Sequence, residues 1–314
     1  MCKSRTGRAL ALLLGAVCLM SFGLLGCGQA AAAPNALQLI DKTVAAAAKV
    51  KSFKLDTYLT ENYIVTGVSD NSVTTDSWQF TAQKQVDVAN KKLYQVLDNY
   101  SLSGSGSSSF AMTSYIAGEW EYYCQSQPWL STPAVTWNKT SLEAEPSAWE
   151  KSVQLQPQVD LLQNSQILGD VKTVSEDGRQ YFVIDLLPSA SAAADWVLSQ
   201  QQRFGSSLGW FRTGTERSRE IYAKAYTGGS VRLWIDQKND LIVKAETNLL
   251  FDAVPGNIMR GDTGLMVAAG QENSEDVGFT HILRSFSGHW EFSDYNQSVS
   301  IELPAAALNA TEHP

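Results

Sequence analysis

The amino-acid sequence predicts an α+β protein with one large antiparallel sheet of about ten strands and two or three helices that cover one face. Three observations support this prediction. Apolar and polar residues alternate with a period of two in many short segments, such as SFKLDTYLT and SWQFTAQKQVDV. Turn sequences separate these segments, which favours hairpins. Helical spacing is confined to a few stretches, and a sheet of this width is expected to curl.

The first predicted element is a helix at residues 36–50, with Asn35 as its N-cap. The spacing of Leu37, Ile40, Val44 and Ala48 indicates its apolar face. After this helix the period changes to two, and a strand begins near Ser52. The apolar face of that strand carries Phe53, Leu55, Thr57 and Leu59.

Three features of the next hundred residues guide the prediction. The Ser/Gly run SLSGSGSSS, residues 101–109, predicts a flexible hairpin loop between two strands. Residues 126–150 hold three prolines and three tryptophans, which favours an irregular connection. A helix is expected near residues 150–165.

The second half of the chain again alternates between hairpins and one helix. Asp177-Gly178 predicts a tight hairpin turn, and a helix follows with Ser189 or Ser191 as its cap. Residues 205–214 and 252–275 are predicted loops, and residues 237–240 a turn.

One further strand and one further turn complete the prediction for the second half. A strand is predicted from about residue 219. His281 and His289 are predicted to flank a turn.

The N-terminal segment has the pattern of a bacterial lipoprotein signal. Residues 1–8 carry three cations and no acid, and residues 9–26 are apolar and uncharged. The stretch LLGC, which ends at Cys27, matches the lipobox, where the thiol receives diacylglycerol and the chain is cut before the cysteine. The alternative is a transmembrane helix, because 18 apolar residues are the lower limit for spanning a bilayer.

These patterns predict three parts: a signal peptide at residues 1–26, a lipidated tether at 27–35, and a single domain at 36–314. Removal of residues 1–26 changes the formal net charge from −8 to −11. This acidity argues against nucleic acid as a partner and against a polybasic membrane patch. Cys124 would then be the only cysteine besides Cys27, and we expect it to be a small buried hydrophobic residue.

Catalytic and metal-binding motifs are absent from the sequence. His281, His289 and His313 do not have the spacing of a zinc site, and there is neither a G-x-S-x-G elbow nor a Walker loop. The carboxylate pairs Glu119/Glu121 and Glu143/Glu145 are acids in polar stretches. We therefore expect no enzyme activity, no cofactor and no metal.

Three tryptophans leave one surface function open. Trp129, Trp137 and Trp149 lie in the proline-rich stretch and could stack on sugars. The alternative, which we favour, is that they close one open end of the sheet.

The C-terminal sequence HWEFSDYNQSVSIELP resembles the closing strands of the lipoprotein-carrier-like superfamily, which includes LolA, LolB and the LppX/LprG-type lipoproteins. The matching positions are Phe292, Ser293, Asp294, Tyr295, Val299, Ile301 and Pro304. The stretches SFKLDTYL, LWIDQKNDLIVKAE and YFVIDLLPSASAAADWVLSQQ agree with other parts of the family pattern. The resemblance implies a strongly curved half-open barrel with helices against its concave face, where relatives hold acyl chains.

The sequence therefore predicts a lipoprotein anchored at the extracytoplasmic face of the cell membrane. It would bind or carry a hydrophobic ligand, most simply a lipid, in the concave face of the sheet. Strand phase alone selects these lining residues: Leu55, Leu59, Trp78, Phe80, Leu233, Ile235 and Val243. The alternative is an envelope sensor or scaffold that uses the same fold to bind protein or glycan without carrying a ligand.

Overall fold

The structure is a computed structural model that describes residues 34–67, 73–103, 106–126, 136–142, 149, 153, 155–205, 216–253 and 279–312. The strands of this part of the chain are β1 (Ser52–Gly67), β2 (Val73–Asp87), β3 (Lys92–Ser103), β4 (Gly106–Ala117), β5 (Trp120–Ser126), β6 (Trp137–Ser141), β7 (Ser165–Ile167), β8 (Lys172–Glu176), β9 (Arg179–Pro188), β10 (Tyr226–Asp236), β11 (Ile242–Ala253), β12 (Phe279–Ser293) and β13 (Thr311–Glu312). The α-helices are α1 (Ala36–Ala47), α2 (Leu155–Gln163), α3 (Ala190–Gly205) and α4 (Glu216–Ala225), and a 3₁₀-helix spans Ala305–Asn309.

All of these strands belong to one sheet, in the order β13-β6-β5-β4-β3-β2-β1-β12-β11-β10-β9-β7, with β8 beside β7 on the same edge of β9. Neighbouring strands are antiparallel except for the short β13–β6 pair. The sheet is open, and its ends do not pair. The predicted fold class is confirmed, although the described sheet has 13 strands rather than about ten.

The long strands β1, β2, β3, β4 and β12 bury alternate residues on the side where the helices pack, which we call the inner face. On β1 these are Phe53, Leu55, Thr57 and Leu59, as the period-two pattern predicts. Helix α3 contacts β9 and β10, and α4 contacts β11. The opposite side, the outer face, is largely polar and solvent-accessible on β1 and β2.

Helix α1 forms where predicted, and its predicted apolar face is confirmed in part: Ile40 and Val44 pack against the core, whereas Leu37 does not. The Asn35 side chain accepts a hydrogen bond from the Leu37 amide at 2.9 Å and so caps the helix. Leu37 itself is 67% exposed, whereas Leu39 and Thr43 face the core. The helix is rich in alanine and apolar on several sides, so its sequence does not fix the rotation about its axis.

The predicted strand from residue 219 is wrong, because residues 216–225 form helix α4. Tyr222 and Ala225, three residues apart, are both buried, which is helical rather than strand spacing. Packing of this face on β11 outweighs the local alternation of apolar and polar residues.

The predicted turn between His281 and His289 is also wrong. Both histidines lie on the continuous strand β12, which pairs with β1 and β11. A Cβ atom at Gly288 would lie 1.8 Å from the Trp290 ring. Gly288 therefore makes room for the indole above it in a strand and does not mark a turn.

Three more loop or strand assignments are corrected. The Ser/Gly run is mostly strand, since β3 and β4 pair as far as Ser103 and Gly106. The irregular stretch 126–150 contains β6, which pairs with β5. The C-terminal positions Val299, Ile301 and Pro304 lie beyond the end of β12 and outside any strand.

Other elements form as expected. Asp177 and Gly178 have φ values of 50° and 76° and join β8 to β9 in a tight hairpin. The Ser189 hydroxyl accepts a hydrogen bond from the Ala192 amide at 3.2 Å and caps α3. Most of the two predicted loops, at 205–214 and 252–275, lies outside the described residues.

Candidate functional site

Six of the seven predicted lining residues lie on the inner face. Leu55, Leu59, Phe80, Leu233 and Ile235 are buried there, and Trp78 is partly buried and stacks on Phe80 with ring centroids 6.3 Å apart. Val243 lies at a bulge between β10 and β11, where Ile242 is paired with Ile235 and buried. The six side chains other than Val243 belong to one core cluster or pack against it, and contact of the predicted lining residues with a ligand stays a prediction.

An aromatic cluster fills the centre of the inner face. Trp196 of α3 meets Trp290 of β12 edge-on at 5.2 Å and Phe286 at 6.5 Å. Phe251 packs edge-on against Phe286 at 5.7 Å. Trp196 and Trp290 are almost completely buried, so this contact fixes α3 on the sheet. The role of Trp290 is not predictable from the sequence, where the neighbouring residues suggest a turn.

A buried ion pair lies on the same face beneath α4. The Arg284 guanidinium donates hydrogen bonds to the Glu61 carboxylate and to the Tyr222 hydroxyl. The Tyr63 hydroxyl donates to Glu61 at 2.5 Å. The guanidinium also lies over the rings of Tyr63 at 4.7 Å and Phe286 at 4.5 Å. Tyr222 belongs to α4, so this cluster connects that helix to β1 and β12.

Burial dominates the electrostatics of this cluster. It raises the pKa of the Glu61 carboxyl, while the charge of Arg284 and the hydrogen bonds from Tyr63 and Arg284 act against that rise. Burial also raises the pKa of the Tyr63 phenol. Burial alone would lower the pKa of Arg284, but the nearby Glu61 charge raises it, so the guanidinium remains charged.

A cleft of about 510 Å³ opens between α2, α3 and α4. Its apolar lining comes from Pro157, Leu161, Ala192 and Trp196. Its polar lining comes from Asp160, Asn164, Ser189, Ser191, Asp195, Ser199 and Arg219. The cleft is therefore amphiphilic, and its Trp196 wall is the ring that packs on the sheet.

One side of this cleft is held by Arg219 of α4. Its Nε donates to Asp195 Oδ1 at 2.5 Å, and its Nη2 donates to Asp195 Oδ2 at 2.7 Å. The same Nη2 also donates to Ser191 Oγ at 2.6 Å. This two-pronged contact joins α4 to α3, and both charged groups are about half exposed.

The helices and the inner face carry several buried polar atoms without a partner among the described residues. They are Thr43 Oγ1 on α1, both amide atoms of Gln158 on α2, Trp196 Nε1 on α3, Thr247 Oγ1 on β11 and Trp290 Nε1 on β12. Buried polar atoms usually have a hydrogen-bond partner, and water or a ligand fills that role where protein does not. These buried atoms are therefore free to form hydrogen bonds with water or with a ligand.

The other sequence candidates do not converge on one site. Trp137 is on the outer face of β6, whereas Trp149 packs against the core. Cys124 is only partly buried, contrary to expectation, and burial raises the pKa of its thiol. Glu121 is in β5 and Glu119 in the turn before it. The candidates outside the described residues are Cys27, Trp129, Glu143, Glu145 and His313.

Two searches within the described residues found nothing. No group of three or more His, Cys, Asp or Glu side chains there is arranged to hold a metal ion. No helix in that part of the chain is long and apolar enough to cross a membrane.

No protein-family model and no curated protein matches the chain. Solved structures do resemble it. Lipoprotein LppX of Mycobacterium tuberculosis aligns over 85% of this chain and 98% of its own, with 13% identity and a TM-score of 0.37. LprF from Mycobacterium bovis aligns over 87% and 99%, with 11% identity and a TM-score of 0.42. The LolA superfamily protein NE2245 from Nitrosomonas europaea aligns over 87% and 96%, with 14% identity and a TM-score of 0.20.

The resemblance predicted from the sequence is thus confirmed as a resemblance, over most of the chain. At these identities and scores it concerns the fold alone. The chemistry of the site has to come from the side chains of this chain.

Proposed function

We propose that this protein is a lipoprotein, acylated at Cys27 and held at the extracytoplasmic face of the membrane, that binds a lipid-like amphiphile through the cleft between α2 and α3. The protein acts as a binder or carrier and not as an enzyme. It uses neither cofactor nor metal. The acylated tether at residues 27–35 would keep the domain that starts at residue 36 close to the bilayer.

The amphiphilic lining of the cleft is the observation that carries this proposal. A volume of about 510 Å³ is within the range of ligand pockets. An acyl chain would lie against Pro157, Leu161 and Trp196, while its polar head would meet the hydroxyl, amide and charged groups of the same cleft. A packed helix pair needs no such division between apolar and polar lining.

The energetics favour an occupant with a long apolar chain. Each buried methylene contributes about 0.8 kcal/mol, so a chain of roughly 15 methylenes would gain about 12 kcal/mol before the costs of ordering it. The predicted lining residues Leu55, Leu59 and Phe80 would form the deeper wall if the ligand passes below α3.

Binding of an acyl-chain fluorophore tests the proposal. We expect the fluorophore to become emissive with the protein and to be displaced by a phospholipid. The variant Leu161→Trp fills the cleft and should weaken binding by at least tenfold. Leu308→Trp is the matched control, because Leu308 is exposed on the 3₁₀-helix, away from the cleft lining. Native mass spectrometry should also detect copurified lipid in the wild type and less in Leu161→Trp.

Two results would contradict it. The first is a fluorophore that stays in water with no lipid in the mass spectrum. The second is equal binding by the Leu161 and Leu308 variants, which would move the site away from the cleft. Anchoring is tested separately: Cys27→Ala should abolish labelling with a fatty-acid analogue and release the protein from the membrane fraction.

One observation favours the alternative of a protein-binding scaffold. Ile64 and Leu283 face each other across β1 and β12 on the outer face and are 39% and 46% exposed. Exposed apolar pairs of this kind occur at protein interfaces. If Ile64→Ser abolishes crosslinking to an envelope protein while lipid binding is absent, the scaffold function replaces the carrier.

A further inference from the structure

A row of aromatic rings crosses the outer face of the sheet, on the side opposite the helices. Tyr94 of β3 is paired with Tyr115 of β4, Tyr115 with Tyr122 of β5, and Tyr122 with Lys139 of β6. Trp137 and Trp120 lie on the same face, two residue positions along the strands to either side of this row. We call these five aromatic residues the aromatic strip. All of them are partly exposed.

The rings of the strip support one another. The centroids of Tyr94 and Tyr115 are 4.9 Å apart, and those of Tyr115 and Trp137 are 5.8 Å apart. The ammonium group of Lys139 lies 4.3 Å from the centroid of the Trp120 ring. Burial among these neighbours raises the pKa of the Tyr115 phenol, which therefore stays protonated and able to donate a hydrogen bond. The strip is a packed, ordered surface rather than a set of scattered side chains.

A polar groove of about 480 Å³ lies next to the strip on the same face. Its lining includes Asp56, Tyr58, Thr81, Gln83, Asp98 and Glu291. Strand β3 joins the two features, because Tyr94 belongs to the strip while Val96 and Asp98 line the groove. Tyr58 is 45% exposed and adds one more accessible ring to the groove.

The chemistry of this surface excludes several occupants. Three carboxylates in the groove and the acidic chain as a whole disfavour nucleic acid and an anionic bilayer. A purely apolar partner would cover carboxylate, amide and phenol groups without offering them hydrogen bonds. The occupant must present apolar faces to the rings and many hydroxyl groups to the groove.

The geometry points to a neutral oligosaccharide as the ligand of this outer-face surface. The C–H faces of successive sugar rings would stack on Tyr94, Tyr115 and Trp137. Sugar hydroxyls would donate to the carboxylates of Asp56, Asp98 and Glu291 and bond with Gln83 and Thr81. This site lies on the opposite side of the sheet from the proposed lipid cleft, and the inference does not depend on that function.

Affinity electrophoresis and a cysteine footprint test this site. The full chain is purified in a detergent without a sugar head group. It is then run through native gels that contain a neutral glucan, a mannan or a fully acetylated polymer of N-acetylglucosamine. We expect at least one polymer to retard it. Cys124 lies between Thr113 and Trp137 on the same face, so soluble oligosaccharides of that polymer should slow its alkylation by N-ethylmaleimide, read on the peptide that contains it.

Two variants on one strand give a matched comparison. Tyr94→Ala removes a ring of the strip and should weaken binding about tenfold, the change expected when a stacked ring is lost. Tyr100→Ala removes a phenol that is 44% exposed on the same face of β3, outside the strip, and should leave binding unchanged. Circular dichroism checks that both variants are folded. Absence of retardation by every polymer, or equal losses in the two variants, would overturn the inference.

Discussion

The two halves of the inner face are built from different kinds of side chain. Under α3 and α4, strands β11 and β12 present Phe251, Phe286 and Trp290, and rings pack on rings. On β2, β3 and β4 the same face carries Lys84, Gln95 and Ser114, each at most 6% exposed. These three are paired in a single cross-strand row, next to rows of apolar residues such as Leu97 and Met112 in the same sheet.

This difference separates a half whose buried side chains are mainly aromatic from one that also buries a row of polar side chains. Burying a polar side chain costs free energy that burying leucine would not, so packing alone does not explain the polar row. In the aromatic half, by contrast, packing of rings on rings dominates. We therefore expect loss of a ring in the aromatic half to cost more stability than an apolar substitution in the polar row.

The largest effect is expected for Trp290→Ala. It removes a fully buried indole from the aromatic half and should lower the free energy of unfolding by about 3–5 kcal/mol. Trp137→Ala, on the partly exposed outer face, is the control and should cost clearly less. Urea unfolding followed by circular dichroism measures both. Equal losses would show that the inner aromatic cluster is no more important than the surface.

Arg284→Met should lower the free energy of unfolding by about 3–5 kcal/mol at neutral pH, because it leaves the buried Glu61 carboxylate without its cationic partner. Burial raises the pKa of Glu61, and the substitution removes the positive charge that opposes this rise. A carboxyl whose pKa is raised by folding stabilises the protein below its unfolded pKa, and this contribution is lost as pH rises through the folded pKa.

The loss of unfolding free energy in Arg284→Met, relative to the wild type, should therefore be smaller at about pH 5 than at about pH 8. The double variant Glu61→Leu/Arg284→Met should recover most of the stability at both pH values. Unfolding curves at the two pH values test this. A deficit that does not change with pH would contradict the assigned role of Glu61.

Gly288→Ala should cost about 1–3 kcal/mol, because its Cβ would overlap the Trp290 ring. Ser287→Ala, the neighbour on the outer face, should change stability by less than about 0.5 kcal/mol. The cost of Gly288→Ala should shrink in a Trp290→Leu background, where the ring is absent. If the losses of unfolding free energy from the Gly288 and Trp290 substitutions simply add, the glycine is needed for a reason other than the Trp290 ring.

The smallest effect on stability is expected for Gln95→Leu in the polar row. The free energy of unfolding should change by about 1 kcal/mol or less, since the new side chain is apolar and of similar size. Binding of the acyl-chain fluorophore should be unchanged, because Gln95 is not among the residues that line the cleft. Leu97→Gln, on the same face of the same strand, is the control and should cost more stability. If Gln95→Leu destabilises the protein as much as the control, the two halves do not differ in the way proposed.

Strand phase was the most dependable sequence signal, because side chains alternate strictly between the two faces of a strand. It placed Leu55, Leu59 and Phe80 correctly on the inner face. It failed at Val243, where a bulge shifts the register, and near Gly288, where glycine serves a neighbouring ring and not a turn. Helix α4 was mistaken for a strand because its ten residues are too few for a clear helical period.

The candidate sites were less predictable than the fold. The cleft residues Leu161, Trp196 and Arg219 are on three different helices, and no local pattern connects them. The Glu61–Arg284 pair joins residues 223 positions apart. The aromatic strip is visible only once the register of β3, β4, β5 and β6 is known, since one shifted pair would move its rings to the other face.

The sequence by itself determined the period-two strands, the tight Asp177-Gly178 turn and the capped helix at Asn35, because each depends on neighbours a few residues apart. Only the tertiary structure decided which helix faces meet the sheet, which polar groups are buried, and which rings share a surface. Those outcomes depend on contacts between distant segments, and their energies are set by packing and desolvation rather than by local sequence.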